Sequence, residues 1–307
     1  MKLCIIGPSK RTDSDIMLLN NAKNIFDSVL YAPYSDISMQ LNGGRSVIYK
    51  SSNLSKFDAV LPRIKRNRYL TGYLLFNTLD NYTPITANAY MACSDRFLML
   101  DLLKRDGLSV PDMIHVDSVK AAMTHIDADS MEFPIALRIP GSQKGIMFAS
   151  SPKEATSMLG ALKTFKKPVY MEKCQKKNDY YQAFVIGNEV VAAMKKSPNE
   201  IKDPFVGKGD AKNSRLSSEL KNIAVNVANT LGTNFAKVSI YKKSKKVFNV
   251  GLCPNLVQPN KVFDKKVHTE LLNYVKNQIK YEKKENKSLL DLLLSSTRIK
   301  FKDIFEK

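Results

Sequence analysis

The chain has 307 residues, 44% of them hydrophobic and 25% charged, which fits a globular protein of two or three lobes and excludes large-scale disorder. Its 48 Lys and Arg against 29 Asp and Glu give a net charge of +19, which favours anionic partners without choosing among them. The four cysteines, Cys4, Cys93, Cys174 and Cys253, form no C-x-x-C pair, which excludes a zinc knuckle and a disulfide framework and leaves buried free thiols as the expectation.

Residues 2–6, apolar from Leu3 onward, read as a buried strand. The start lacks the pattern of a cleavable signal, and no apolar run approaches the roughly 20 residues that cross a bilayer, so a cytoplasmic chain with no membrane partner is expected. Asp15–Val29 carries Ile16, Leu19, Ala22, Ile25 and Phe26 on one helical face. Phe57–Ile64 is a second strand, closed by Pro62, and a helix runs from Tyr69 to Leu79. Alternation of this kind builds a small open parallel sheet. Ala89–Arg105 is predicted as one long helix that stops at Asp106 and Gly107.

From Pro111 the pattern mixes strands and helices. Strands are predicted at Met113–Val116 and Phe133–Ile139, helices at Val119–Ile126 and Pro152–Phe165, with a glycine loop at Gly141–Gly145 after the second strand. Val169–Glu172, Tyr180–Ile186 and Glu189–Lys195 are strands, the last two joined as a hairpin by Gly187 and Asn188. Ser218–Leu231 is helical, Ala236–Tyr241 and Val247–Gly251 are strands around the basic turn Lys242–Lys246, and Val267–Tyr281 is a closing helix. Ser288–Leu294 is an apolar turn that packs either on the body or on another chain, which leaves the oligomeric state open. The charge excess is concentrated, because residues 160–250 hold 18 Lys and Arg against 7 Asp and Glu.

Phe57–Ile64, the hairpin at Val185–Met194, and Arg138–Gly145 occur in an order and spacing that resembles the RimK-like ATP-grasp family over residues 1–280. The resemblance implies an α/β and α+β chain, with an ATP-grasp fold behind an N-terminal open parallel α/β domain. The implied division is 1–88 for that domain, 89–168 and 169–281 for the two ATP-grasp subdomains, and 282–307 for an extension. It implies ATP or ADP as ligand between the lobes and, in working enzymes, an acyl-phosphate that an amine attacks. Arg96 and Arg138 stand where the family has phosphate-binding lysines, and arginine keeps the charge while offering two donors in a fork. Ser142, Gln143, Lys144 and Gly145 form the implied phosphate-covering loop. Glu172 and Cys174 lie on the segment whose backbone reads adenine in the family.

The family's magnesium ligands, an Asp on one late strand and a Glu and an Asn on the next, fall on Ser239, Asn249 and Gly251. No Asp or Glu occurs anywhere from Leu220 to Phe263, a window that includes Lys221, Lys237, Lys242 and Lys246. Magnesium needs hard oxygen ligands with at least a carboxylate or two, so it is not expected here. Gln182 replaces a family arginine, and Asp203–Phe205 replaces an Arg-x-Asn phosphate segment. Fold kept and chemistry lost is the simplest account: a non-catalytic relative that binds nucleotide or another anion and docks an acidic partner, whether nucleic acid, ribosome or acidic protein. An ATP-dependent carboxylate–amine ligase with an atypical metal site is the alternative, and a structural subunit with an empty cleft is the third reading. His115, His125 and His268 show no metal or triad spacing and are expected in solvent or loose packing. The basic cluster Arg63–Tyr69 ends a strand, where open α/β sheets place ligands, and faces phosphate, an acidic peptide or only water.

Overall fold

A computed structural model describes residues 1–128, 130–140, 145–175, 178–262 and 266–285. The chain opens with strand β1 (Lys2–Gly7), helix α1 (Asp13–Ala22) and strand β2 (Ser28–Pro33). A small antiparallel sheet of β3 (Ile37–Gln40), β4 (Ser46–Tyr49) and β5 (Ser52–Asn53) follows, and β6 (Ala59–Pro62) returns to lie beside β1. The order β2-β1-β6 is parallel throughout, as the β-α alternation requires. Helices α2 (Tyr69–Thr78) and α3 (Ala87–Ser94) pack together through Gly72, where any Cβ would meet the Tyr90 ring at 2.9 Å. Helix α4 (Arg96–Arg105) leads to the second lobe.

That lobe is the antiparallel sheet β7-β10-β8-β9, made of β7 (Met113–Val116), β8 (Ile135–Arg138), β9 (Ile146–Ala149) and β10 (Val169–Lys173). Helices α5 (Val119–Asp127) and α6 (Pro152–Leu162) cover one face, and Ala122, Ile126, Ile135, Leu137, Leu159 and Met171 belong to a core of its own. The third sheet has the order β13-β12-β11-β14-β15. Its strands are β11 (Tyr180–Ile186), β12 (Glu189–Ser197), β13 (Asp210–Asn213), β14 (Phe235–Tyr241) and β15 (Val247–Gly251). Short helix α7 (Asp203–Val206) joins β12 to β13, and α8 (Ser218–Thr230) lies against the sheet. After α9 (Val257–Val262) comes α10, residues 267–285, whose Val267, Leu271, Leu272, Val275 and Ile279 are buried at helical spacing. The N-terminal and third sheets share one apolar core, while the middle lobe keeps a separate one. Two lobes with independent cores can shift relative to one another without breaking either core.

The turn between β11 and β12 needs its glycine, because Gly187 has φ +56° and a Cβ there would approach Tyr274 at 2.7 Å. Cys4, Cys93 and Cys174 are buried free thiols, and Cys253 is a partly buried one, in line with the sequence expectation. Among the described residues no helix is long and apolar enough to cross a membrane.

Three elements differ from the sequence-based expectation. The first helix ends at Ala22 instead of reaching Val29, because residues from Ser28 onward are drawn into parallel pairing with β1. Its start is fixed by a capping box between Thr12 and Asp15. The helix expected over Ala89–Arg105 is broken at Asp95, whose Oδ1 accepts from the amides of Phe97 and Leu98 at 2.8 and 3.0 Å and starts a new helix. His268 is buried, at 3% exposure, because it faces inward at the start of α10. The apolar turn Ser288–Leu294 lies outside the described residues.

Candidate functional site

The break at Asp95 points the first turn of α4 at β10. Arg96 there donates from Nε to Glu172 Oε2 at 2.7 Å, and its Nη2 donates to the other carboxylate oxygen. Pairing of β10 with β8 sets Arg138 opposite Tyr170, so Arg138 and Glu172 are diagonal neighbours on one face, and Arg138 Nη2 lies 3.6 Å from Glu172 Oε2. One buried carboxylate therefore faces two buried guanidiniums. Burial pushes the Arg138 pKa down to about 10, Arg96 beside it lowers it further, and Glu172 pulls the other way. Arg138 Nε and Nη2 have no hydrogen-bond partner among the described residues. The Phe205 ring on α7 covers both, 5.1 Å from Arg138 and 5.9 Å from Arg96, and meets Phe148 of β9 edge-on at 5.3 Å.

The facing wall is the third sheet. Register places Lys237 opposite Gly251 and Ser239 opposite Asn249, and alternation along a strand puts all four on one face. Gln182 is opposite Ser239, and Lys196 is opposite Tyr180 on the neighbouring strand, so they share that face. Arg66, in a turn after β6, donates from Nη1 to Asn249 Oδ1 at 3.1 Å, while its Nη2 is buried without a partner among the described residues. Ser239 Oγ is likewise buried without one. Burial, then the neighbouring Lys196, push the Lys237 pKa down to about 8. Lys196 donates to the Gly207 carbonyl at 3.1 Å and is itself lowered by burial.

At the positions where the resemblance implies metal ligands, the chain carries no carboxylate: they are Ser239, Asn249 and Gly251. Ser239 offers a neutral hydroxyl, the Asn249 carbonyl oxygen already faces the Arg66 cation, and Gly251 offers no side chain. Among the described residues no group of three or more His, Cys, Asp or Glu side chains is gathered for a metal ion.

Of the residues expected from sequence, Arg96, Arg138 and Glu172 come together as a cluster. Glu172 contacts both arginines through its carboxylate. Cys174 is buried with its amide donating to the Pro134 carbonyl at 2.8 Å, and burial pushes its thiol up to about 12. Gly145 is exposed at φ +88° just before β9. Ser142, Gln143 and Lys144 lie outside the described residues. The cluster Arg63–Tyr69 divides: Arg63 is buried against Asp15 at 2.8 Å and donates to the Pro254 carbonyl, so it ties the N-terminal sheet to the chain after β15, whereas Arg66 reaches the cleft. Sequence reading did not assign Arg66, Lys196 and Phe205 individually to a site. Only the strand register and the cross-lobe contacts single them out.

A family profile described as a RimK-like ATP-grasp domain matches residues 93–275. A probable alpha-L-glutamate ligase of Vibrio vulnificus is 25% identical over 261 residues, covering 80% of this chain and 84% of its own. One from Nitrosococcus oceani is 26% identical over 291 residues, covering 90% and 95%. Among solved structures, the ATP-grasp ligase PsnB complexed with minimal precursor, Mg and ADP has a TM-score of 0.67 at 12% identity and covers 91% of this chain and 98% of its own. The lobed architecture and the profile match over more than half of its length agree: this chain belongs to the RimK-like ATP-grasp family.

Proposed function

We propose that this chain keeps the ATP-grasp cleft as a metal-independent binding site for a phosphate-bearing anion, a nucleoside di- or triphosphate, and does not perform magnesium-dependent ligation. The observation that carries this reading is the set of buried donors without hydrogen-bond partners among the described residues, Arg66 Nη2 and Arg138 Nε and Nη2, where Ser239, Asn249 and Gly251 stand in place of the metal ligands that the resemblance implies. Buried donors left unsatisfied destabilise a fold by about 1–3 kcal/mol each, more when charged, and an anion that accepts from them removes that penalty. Arg138 and Arg66 are the proposed phosphate contacts, Arg96 is held in place by Glu172, and entry of the ligand displaces the Phe205 ring from the guanidiniums. The domain division 1–88, 89–168 and 169–281 is the companion proposal, since the middle lobe has its own core.

Thermal unfolding with ADP, once in EDTA and once in excess magnesium, tests the reading. A ligand bound only by the native state adds about 2.7 kcal/mol at a hundred times its dissociation constant. The expected result is an upward shift of a few degrees that is the same in both buffers. A shift seen only with magnesium contradicts it.

A second reading, an ATP-dependent carboxylate–amine ligase, draws on relatives named as glutamate ligases over most of this chain's length. It requires ADP release on adding magnesium, ATP, glutamate and a peptide acceptor, and the first reading expects none. The charge excess supports docking of an acidic macromolecule as a further part of the proposal. Its affinity for RNA or DNA should then fall by roughly 10³ or more between 50 and 200 mM salt if about six or more phosphates are contacted, and its affinity for an acidic protein should fall in the same direction. Salt-insensitive binding, or none, removes docking from the account.

A further inference from the structure

Building on the anion-binding reading, we infer that Lys237 occupies the place of the missing divalent cation, so that a polyphosphate in this cleft is neutralised by a side-chain ammonium fixed to the fold. Lys237 and Gly251 are direct cross-strand partners, and the Lys237 Cε lies 3.9 Å from where a Cβ at residue 251 would sit. A longer side chain at 251, such as the family's asparagine ligand, would compete for that space. Loss of the ligand at 251 and presence of an amine at 237 are thus one coupled arrangement, not two unrelated changes.

The surroundings of the amine point the same way. Two residues along the strand, on the same face, Ser239 has a buried hydroxyl without a partner among the described residues. Across from Ser239, Asn249 is turned toward Arg66. Lys237 itself has neither hydrogen bond nor ion pair among the described residues, and the charge acting on it is another cation, Lys196. Lys237 is partly buried, and an ammonium held there beside a like charge is less favourable in the free protein than one with an anion bound against it. The class of ligand follows. It carries at least two adjacent phosphate groups, because Lys237 and Lys196 line the third sheet while Arg138 lies on the other lobe.

The test titrates inorganic tripolyphosphate and ADP into the full-length protein in EDTA, by calorimetry, for the wild type and for Lys237→Met. The wild type should bind both, and Lys237→Met should weaken both by about tenfold or more while its melting temperature without ligand stays level or rises. Should Lys237→Met fail to fold, Gly251→Leu serves, since the backbone there tolerates a side chain and a leucine displaces the amine without removing it. It should weaken binding by a similar factor. If either folded variant binds tripolyphosphate as the wild type does, the role of Lys237 is overturned and the anion-binding reading stands. If the wild type binds neither ligand in EDTA, both fall.

Discussion

Glu172→Ala should lower stability by about 3–5 kcal/mol, a fall on the order of 10 °C in melting temperature for a chain of this size. Glu172 is 1% exposed, and its carboxylate is the acidic group facing Arg96 and Arg138. Removing it leaves two guanidiniums buried and mutually repelling, and neither sheds its proton near neutral pH, because an arginine stays protonated in a protein. The same substitution should increase the stabilisation that ADP or pyrophosphate confers, because an added anion then replaces the missing carboxylate. Replacing both partners, Arg96→Met with Glu172→Met, should cost less than Glu172→Ala alone, as expected when the loss comes from a stranded charge and not from lost attraction. Urea unfolding of Glu172→Ala, Arg96→Met, Glu172→Met and the double Met variant, with and without pyrophosphate, checks both statements. Additive losses would show that the pair is not coupled.

Lys237→Met should be level with or more stable than the wild type at pH 7 in the absence of ligand, by on the order of 1 kcal/mol, since Lys237 is only partly buried. The lysine titrates near 10.5 when unfolded and near 8 when folded, because burial and then Lys196 disfavour its charged form. Between these values the unfolded chain holds more protons, so the wild type gains stability from this group as pH rises from 8 to 10.5. Below pH 8 the penalty is present in full. The advantage of Lys237→Met is therefore largest at and below neutral pH and shrinks toward pH 10.5. Only the difference between the two proteins is informative, because buried thiols such as Cys4 and Cys93, pushed up to about 12, act in the opposite direction over the same range. Paired urea titrations at pH 7 and pH 10 measure it, and an unchanged difference would mean that the ammonium is already solvated.

The fold was legible wherever pattern is local. The hairpin Tyr180–Ile186 to Glu189–Ser197 and the strand Val247–Gly251 follow from alternation and a glycine turn, and the parallel sheet at the N-terminus follows from its β-α order. The break at Asp95 was not read, because helical periodicity continues through Ser94 and Asp95 and only the capping bonds reveal a new start. Arg96 and Arg138 could be found by their place in the family pattern, yet their shared partner could not. Glu172 is 76 residues from Arg96, and nothing in a sequence pairs residues so distant. One clue was available in hindsight: a lone carboxylate following the apolar run Val169–Met171 must find a cation if it is buried. The link between Lys237 and Gly251 depends on the exact register of two strands, which alternation alone leaves free to slip.

The most direct measurement is a calorimetric titration of ADP into the wild-type protein, run in EDTA and again in millimolar magnesium. Binding in EDTA, with an affinity that magnesium changes by less than about threefold, is the expected result, because the cations proposed to meet the phosphates, Arg66, Arg138 and Lys237, belong to the protein. Binding that appears only when magnesium is present would contradict the account and return this cleft to the metal-dependent chemistry of a ligase.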